Sequence, residues 1–293
     1  MKKFLFGILL CVNFAYAQTH NFKFILSSGP GSGSDATLDI YTPCLKDQKI
    51  NVIKEFKPGA EGLVAIKTLQ QSQDTDNTTH ILLGNFGLNA LGKFPNIDLL
   101  SDIHPITYIN STPLVIVGKT GRYKNLDDVI LQSKTKPINI GSPSSSGTFL
   151  VSNLFKELNV NHQVVPYKNS VTGLADVVNG SIDLFVDTYI GARPLIESDR
   201  VFMVTSTFDT PTAKKYNHEP IEKYSPSLGK MPLGLILSVQ PSTDKMTKNM
   251  IVKSFVSCGR DKDIIRKLEQ NNSRPLFNTT EEIIQMIKTV NGR

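Results

Sequence analysis

Short apolar runs alternate along the chain with segments whose apolar residues recur every three or four positions. The runs Phe22–Leu26, Ile81–Leu83 and Ile182–Val186 are predicted strands, because each is short, apolar and followed closely by turn-forming residues. The segments Leu63–Gln71 and Phe149–Leu158 carry apolar residues at helical spacing. This alternation predicts βαβ units and an α/β fold with mostly parallel sheets.

Prolines and polar residues set the expected ends of several helices. A helix that includes Ala36–Tyr41 is expected to kink or end at Pro43, because proline has no amide hydrogen to donate. The proline-rich segment Pro211–Met231 is predicted to be mainly loop. A final helix is predicted over Thr279–Asn291, which opens with a capping pattern of two threonines and two glutamates.

The stretch Phe24–Asp35 is interpreted as a strand, a tight loop and the start of a helix. Its three glycines, at positions 29, 31 and 33, allow positive φ and the close approach of a ligand to the backbone. Ser34 or Asp35 is suited to cap the helix. The free N–H groups of such a loop favour an anion, although a surface turn that binds nothing has the same sequence features.

Four glycine- or serine-rich loops follow predicted strands, at residues 29–35, 84–87, 141–148 and 187–191. Ligands of open α/β sheets bind beyond the carboxyl ends of the strands, so we expect these loops to meet at one cleft. Backbone amides around Gly31–Ser34 and Ser142–Thr148, together with the serine hydroxyls, are suited to recognise a carboxylate or a phosphate. The set of loops therefore predicts a small-ligand site.

The N-terminus has the three parts of a secretory signal peptide. Lys2 and Lys3 precede the apolar run Phe4–Phe14, and Ala15-Tyr16-Ala17 is a cleavage signature. Cleavage is predicted after Ala17, and the apolar run is too short to span a bilayer stably. The mature protein is therefore expected to be exported.

Composition excludes several classes of function. The formal net charge of +6 is spread along the chain, with no lysine or arginine run longer than a pair, so a nucleic-acid partner is not expected. The five histidines are scattered, and we predict neither a metal nor a cofactor. Cys44 and Cys258 remain after cleavage; in an oxidising compartment they form a disulfide if the fold brings them together, and otherwise remain buried thiols.

Catalytic motifs are missing from the chain. The opening loop is G-x-G-x-G rather than a dinucleotide fingerprint, and neither a phosphate-binding loop with lysine nor a G-x-S-x-G elbow is present. Asp187 lies at a predicted strand end and could act as a general base, but no second titratable group stands out in the sequence as its partner. We therefore do not expect an enzyme, and an exported hydrolase that uses Ser145 or Ser146 is the alternative of a different class.

Six motifs in order resemble one family, the extracytoplasmic receptors of tripartite tricarboxylate transporters (TctC/Bug). The similar segments, from about Phe22 to near the C-terminus, are Gly29–Asp35, Lys57–Gly62, Leu82–Asn85, Gly141–Thr148, Val165–Lys168 and Asn179–Asp187. The chain departs from the family pattern where Ser32, Ser144, Ser146 and Asn169 replace glycines. These side chains are expected to narrow the cleft or to add hydroxyl contacts.

The resemblance implies a two-lobed periplasmic binding protein, a type II-like Venus flytrap in which each lobe is a mixed, mostly parallel sheet flanked by helices. Lobe 1 is expected to comprise residues 18–108 and 233–293, and lobe 2 residues 109–232. The two crossings are expected near Thr107–Thr112 and Gly229–Leu235.

The resemblance also implies a receptor that binds a small organic acid or amino acid and delivers it, as a monomer, to TctA/TctB-like membrane subunits. The ligand-binding residues expected are Gly29, Pro30, Gly31, Ser32, Gly33, Ser34, Asn85, Phe86, Ser142, Ser145, Ser146, Gly147, Thr148 and Asp187. In relatives that bind amino acids, the aspartate at the position of Asp187 faces the amino group. A receptor for an uncharged solute, or a sensing module for a kinase, is the alternative with the same fold.

Overall fold

Two sheets organise the computed structural model, which describes residues 19–84, 102–111, 113–229 and 233–290. The predicted signal segment, residues 1–17, lies outside this part of the chain. The strands of the first sheet are β1 (His20–Leu26), β2 (Ile50–Phe56), β3 (Thr78–Gly84), β4 (His104–Ser111) and β10 (Gly234–Val239). The strands of the second are β5 (Leu114–Lys119), β6 (Ile138–Ser142), β7 (His162–Pro166), β8 (Leu184–Thr188) and β9 (Val201–Ser206).

Helices flank both sheets. Those before the second sheet's strand β6 are α1 (Gly33–Asp47), α2 (Leu63–Gln71) and α3 (Leu126–Ser133). The next are α4 (Ser145–Glu157), α5 (Ser170–Asn179), α6 (Tyr189–Glu197), α7 (Thr210–Lys215), α8 (Ile221–Tyr224) and α9 (Pro226–Gly229). The last are α10 (Lys245–Cys258), α11 (Lys262–Glu269) and α12 (Thr280–Val290).

The two sheets have the same topology. Their strand orders are β2-β1-β3-β10-β4 and β7-β6-β8-β5-β9. In each sheet four strands run in one direction, and one strand, β10 or β5, is antiparallel to both of its neighbours. In each sheet, the antiparallel strand is the first one that the chain forms after it crosses from the other sheet. Both sheets are therefore mixed and mostly parallel, as the sequence and the resemblance predicted.

The chain crosses between the sheets twice. It passes from β4 to β5 after Ser111 and returns to β10 after Gly229, with residues 230–232 outside the described part. The boundary between the lobes that was expected after residue 108 falls inside β4. This strand pairs with β10 as far as Ser111, which lies opposite Gly234. We call the described residues before 112 and after 232 the first lobe, and residues 113–229 the second lobe.

Each sheet has apolar packing on both faces, because neighbouring residues of a strand point to opposite sides. In β1, Phe24 packs with α1 and α10 residues, whereas the adjacent Ile25 packs with Ile66 of α2. In β8, Leu184 and Phe185 are likewise divided between two clusters. Because both faces of each sheet are covered, the loops at the strand ends are the part that a ligand can reach.

The first helix corrects one sequence expectation. Helix α1 continues through Pro43 to Asp47 rather than ending before it. Proline inside a helix costs about 3 kcal/mol, but Leu38, Tyr41 and Leu45 of α1 are fully buried in the first lobe's core. A disulfide between Cys44 and Cys258, with Cα atoms 5.8 Å apart, joins α1 to α10. Packing and the covalent link thus hold the last turn of the helix.

Candidate ligand-binding site

The candidate site lies between the lobes, at the carboxyl ends of the strands. The lining residues come from both lobes: Ser28, Ser32, Gly33, Ser34 and Leu235 from the first, and Pro143, Ser144, Ser170, Asp187 and Thr188 from the second. These described residues enclose about 20 Å³. Serine and threonine hydroxyls and helix N-termini dominate the lining, which contains no lysine, arginine or histidine among the described residues.

The first-lobe loop is fixed by its own polar side chains. Ser32 caps α1, and its Oγ accepts from the Asp35 N–H at 3.4 Å and lies 3.0 Å from Ser34 Oγ. The Gly31 N–H donates to Asp35 Oδ2 at 2.9 Å, and Lys54 Nζ donates to Asp35 Oδ1 at 2.5 Å. These contacts hold the first turn of α1 at the cleft. The sequence pointed to Ser34 or Asp35 as the cap, whereas the N-cap is Ser32, two residues before Ser34.

The second-lobe serines also bind mainly to their own loop. Ser144 caps α4 by accepting from the Gly147 N–H at 3.2 Å. Ser142 Oγ donates to the Ser144 carbonyl at 2.9 Å, and the Ser144 and Ser146 hydroxyls lie 3.3 Å apart. Their hydroxyls are therefore largely engaged in capping. What the loop offers a ligand is the set of N–H groups in the first turn of α4, which have no intrahelical acceptor.

Two further helices begin at the same cleft. Asn169 caps α5 by accepting from the Thr172 N–H at 2.8 Å, and Thr188 caps α6 by accepting from the Gly191 N–H at 3.3 Å. With α1 and α4, four helix N-termini therefore converge here. The positive ends of helix dipoles and their free N–H groups favour an anion without any cationic side chain.

Asp187 is the titratable group of the site. Its side chain is 5% exposed, and its Oδ1 accepts from the Thr188 N–H at 2.7 Å. Its Oδ2 is buried and has no hydrogen-bond partner among the described residues. Burial raises the pKa of Asp187 to about 6, against the opposing effect of the Thr188 hydrogen bonds and of the neighbouring Ser170 hydroxyl. A buried carboxylate oxygen without a partner is available to a ligand's hydrogen-bond donor.

The structure brings together only part of the predicted set. Ser32, Gly33, Ser34 and Asp187 line the cleft. The other predicted residues of the described chain lie next to it without lining it: Gly29, Pro30 and Gly31 in the first loop, and Ser142, Ser146, Gly147 and Thr148 in the second. Asn85 and Phe86 lie outside the described residues, as does the side chain of Ser145.

Six lining residues were not named as ligand-binding residues from the sequence, although Pro143, Ser144 and Thr188 lie in loops that were predicted to meet at the cleft: Ser28, Pro143, Ser144, Ser170, Thr188 and Leu235. Three of them were detectable as capping signals, because Ser144, the Asn169-Ser170 pair and Thr188 each stand between a predicted strand and a predicted helix. Leu235 had no such signal, because it reaches the cleft only through the return of the chain to the first sheet.

A serine–histidine contact occurs elsewhere in the second lobe. Ser206 Oγ lies 2.7 Å from His218 Nε2, and both residues are buried. Neither residue lines the cleft, and Ser206 Oγ also accepts from the Phe208 N–H at 3.2 Å. Burial lowers the pKa of His218, which keeps the ring neutral. This pair is a satisfied polar contact of the core.

Neither a metal site nor a membrane-spanning helix occurs among the described residues. No group of three histidine, cysteine, aspartate or glutamate side chains is placed to hold a metal ion there. No helix of the described chain combines the length and the apolar character that crossing a membrane requires.

Comparison with known proteins gives a family and several similar folds. A sequence model of the tripartite tricarboxylate transporter family receptor, TctC, matches residues 45–288. No curated protein matches the chain. The solved structure of the periplasmic binding protein BugD is 17% identical, with a TM-score of 0.81 over 93% of this chain and 96% of that one.

Two similar structures from Rhodopseudomonas palustris contain carboxylates. Rpa4515 with adipate is 17% identical, with a TM-score of 0.79 over 94% of this chain and 95% of that one. MatC with bound malate is 14% identical, with a TM-score of 0.77 over 93% and 98%. Together with BugD they show that the two sheets form the two-lobed fold of periplasmic binding proteins. Because the family model matches most of the length of the chain, the chain belongs to the TctC family of tripartite tricarboxylate transporter receptors.

Proposed function

We propose that this protein is a periplasmic receptor that binds a small carboxylate-bearing compound between its lobes. The observation that carries the proposal is the convergence of four helix N-termini, those of α1, α4, α5 and α6, on one cleft without a basic side chain among its described lining residues. Backbone N–H groups at helix N-termini bind carboxylates through short, charge-assisted hydrogen bonds. The adipate and malate in similar structures support the same class of ligand.

Asp187 narrows the proposed class of ligand. Asp187 lines the cleft and its Oδ2 has no partner among the described residues, so the ligand should carry a donor at a short distance from its carboxylate. An α-amino acid supplies an ammonium group, and a hydroxy acid supplies a hydroxyl. A plain dicarboxylate would place a second negative charge near Asp187, which is favourable only if Asp187 is protonated. We therefore rank amino acids and hydroxy acids above simple diacids.

The proposal also includes where the protein acts and to which membrane subunits it delivers its ligand. Cleavage after Ala17 would release the mature protein into the periplasm, where closed lobes present one combined surface to TctA/TctB-like membrane subunits. We propose that the receptor does this as a monomer and without chemical change to its ligand. The family and the fold, which are those of substrate-binding proteins, support this role.

Thermal unfolding with a ligand panel tests the proposal. The panel pairs each acid with a neutral partner: malate with dimethyl malate, aspartate with aspartate diamide, and adipate with its diester. At a concentration of about 100 Kd, a ligand stabilises the folded protein by about 2.7 kcal/mol. We expect at least one acid, but not its neutral partner, to raise Tm. Stabilisation by neutral partners only, or by no member of the panel, would contradict carboxylate binding.

Variants separate the two parts of the site. Asp187→Asn should weaken an amino acid or hydroxy acid at least tenfold, and it should strengthen the binding of a plain diacid, because the negative charge near its second carboxylate is removed. Asp209→Asn is the control for the same change at a second-lobe aspartate outside the site, because Asp209 caps α7 and does not line the cleft. Equal losses in both variants would assign the effect to stability of the second lobe rather than to ligand contact.

A further inference from the structure

Helix α1 differs from the other three helices that begin at the cleft. Its first turn contains an acidic residue, Asp35, whereas the first turns of α4, α5 and α6 contain none. The N-terminus of a helix carries about half of a positive elementary charge, which a carboxylate in the first turn more than cancels. Asp35 by itself would therefore oppose the binding of an anion at the N-terminus of α1.

Lys54 of β2 is the partner of this carboxylate. Its Nζ donates to Asp35 Oδ1 at 2.5 Å and to Asp39 Oδ1 at 2.6 Å. The side chains of Lys54 and Asp35 are 22% and 13% exposed, whereas that of Asp39 is 62% exposed. Because water screens the exposed carboxylate of Asp39, the ammonium group of Lys54 mainly neutralises Asp35.

The Lys54 side chain is charged in the folded protein. Burial lowers its pKa, but the hydrogen bonds and charges of Asp35 and Asp39 outweigh burial and raise the pKa above the ordinary value for lysine. Lys54 does not line the cleft. Any effect of this residue on a ligand is therefore exerted through Asp35 and the turn that Asp35 contacts.

The two oxygens of Asp35 have different partners. Oδ2 accepts from the Gly31 N–H at 2.9 Å, whereas Oδ1 accepts from Lys54. Gly31 has a φ of 76°, in the left-handed region, and the turn continues directly into residues 32–34, which line the cleft. One oxygen thus fixes the turn and the other binds the ammonium group. The turn gains an acceptor without a net negative charge beside the cleft.

We propose that Lys54 is a positioning residue of the ligand site, which holds Asp35 against the Gly31 N–H and cancels the charge of Asp35 beside the N-terminus of α1. Lys54 thereby sets the affinity of the first lobe for an anion without touching it. The effect on affinity rests on the proposed carboxylate ligand, whereas the effect on the turn requires no ligand.

Nuclear magnetic resonance tests the effect on the turn. The heteronuclear NOE of the Gly31 amide, measured in isotope-labelled protein without ligand, reports how firmly the turn is held. Lys54→Gln should lower this NOE, because Asp35 loses the partner that orients its carboxylate. Lys54→Arg keeps the charge and should leave the NOE near the wild-type value. A Gly31 NOE that Lys54→Gln leaves unchanged would overturn the proposal.

Calorimetric titration with malate, aspartate and adipate tests the effect of the charge. Lys54→Gln should weaken the acid that the wild type binds most tightly by about fivefold or more, as expected for one uncompensated charge in a partly hydrated site. The added Asp35→Asn should restore most of the affinity, because asparagine keeps an oxygen acceptor for the Gly31 N–H but carries no charge. If Lys54 only stabilised the fold, the double variant would lose further affinity, and that result would refute the proposal.

Lys23→Gln is the matched control. Lys23 Nζ lies 3.0 Å from Glu55 Oε2, and the Lys23 side chain is 33% exposed. Glu55 follows Lys54 in β2 and therefore lies on the opposite face of the sheet. The control removes the same charge from the face that α1 does not cover. Equal weakening by Lys23→Gln and Lys54→Gln would assign the effect to net charge and overturn the proposal.

The outcomes distinguish this proposal from the proposed function. A wild type that binds none of the acids contradicts the proposed function, and the Gly31 NOE then decides the role of Lys54. A wild type that binds an acid no more tightly than Lys54→Gln does contradicts the role of Lys54 and leaves the proposed function intact. Circular dichroism and Tm of each variant establish that it is folded.

Discussion

The two lobes share one strand order but are held together differently. The first lobe consists of two separate parts of the chain, and the disulfide between Cys44 and Cys258 joins them across 214 residues of sequence. The second lobe is one continuous segment, and its described part contains no cysteine. The difference shows two ways to stabilise the same sheet topology. The lobe that the chain leaves and re-enters has a covalent link between its two parts, whereas the lobe formed by one continuous segment has none in its described part.

The cleft loops differ in the same way. The serines of both loops cap helices, but the glycines of the first loop contact the opposite lobe, whereas Gly147 of the second packs inside its own lobe, near Ser142 and Val186. Similar compositions thus serve different purposes. One loop is shaped for contact between lobes, and the other for packing within a lobe.

Removal of the disulfide should have the largest effect of the changes considered. It should lower the stability of the first lobe without lowering that of the second. Loss of a native disulfide usually costs about 2–5 kcal/mol, because the unfolded chain gains freedom. Cys44→Ser with Cys258→Ser should destabilise the first lobe by this amount. Hydrogen exchange followed by mass spectrometry should show faster exchange in α1 and α10 and unchanged exchange in β6 and β8. Equal acceleration in both lobes would mean that they unfold as one unit.

Asp187→Asn should change how stability depends on pH. The folded protein holds this proton with a pKa of about 6, compared with 3.8 ordinarily. Because the folded state binds the proton more tightly, the wild type loses stability as the pH rises from about 4 to 6. The variant should avoid this loss and be more stable above pH 6 by about 2–3 kcal/mol.

Urea unfolding of both proteins at pH 4 and pH 7 measures this difference. The advantage of the variant should be near zero at pH 4 and fully present at pH 7. A variant that is less stable than wild type at pH 7 would show that the carboxylate is compensated by contacts other than those described.

Gly147→Ala sharpens the comparison of the loops. A methyl group there would lie 2.8 Å from Ser142 Oγ and 3.1 Å from Val186 Cγ1, so overpacking should cost about 1–3 kcal/mol. The loss should appear in unfolding free energy, with the radius of gyration of the folded protein unchanged. Opening of the lobes by this variant would contradict the division of roles between the loops.

The smallest expected effects come from the capping serines. Ser32→Ala and Ser144→Ala should each cost about 1 kcal/mol, and the corresponding glycine variants only a few tenths. Guanidinium unfolding of the four variants makes the comparison. Equal losses for alanine and glycine would show that the hydroxyl has a role other than capping.

Much of the fold was predictable from the sequence because it depends on local signals. Apolar runs followed by turn residues marked β1, β3 and β8, and helical spacing marked α2 and the greater part of α4. The predicted loop over Pro211–Met231 instead contains the short helices α7, α8 and α9. Such short helices depend on tertiary packing more than on propensity, which a sequence pattern cannot show.

The site was less predictable because its members come from five strand ends. Ser32, Gly33, Ser34 and Asp187 were expected, since they follow two recognisable strands. Ser170 and Leu235 were missed, because their places depend on which strands are neighbours in each sheet. Pro43 was expected to kink or end a helix; the helix does not end there, because the packing of α1 together with the disulfide outweighed that local preference.

The sequence alone therefore determined the alternation of strands and helices and the resemblance to one family, since each depends on patterns within about ten neighbouring residues. Only the tertiary structure decided that the Cys44–Cys258 bond forms and that Asp187, which lines the cleft, has a buried oxygen without a partner among the described residues. It also decided that the glycines at positions 29, 31 and 33 face the other lobe. These features depend on contacts between residues far apart in the chain, whose positions are fixed only when both sheets have packed.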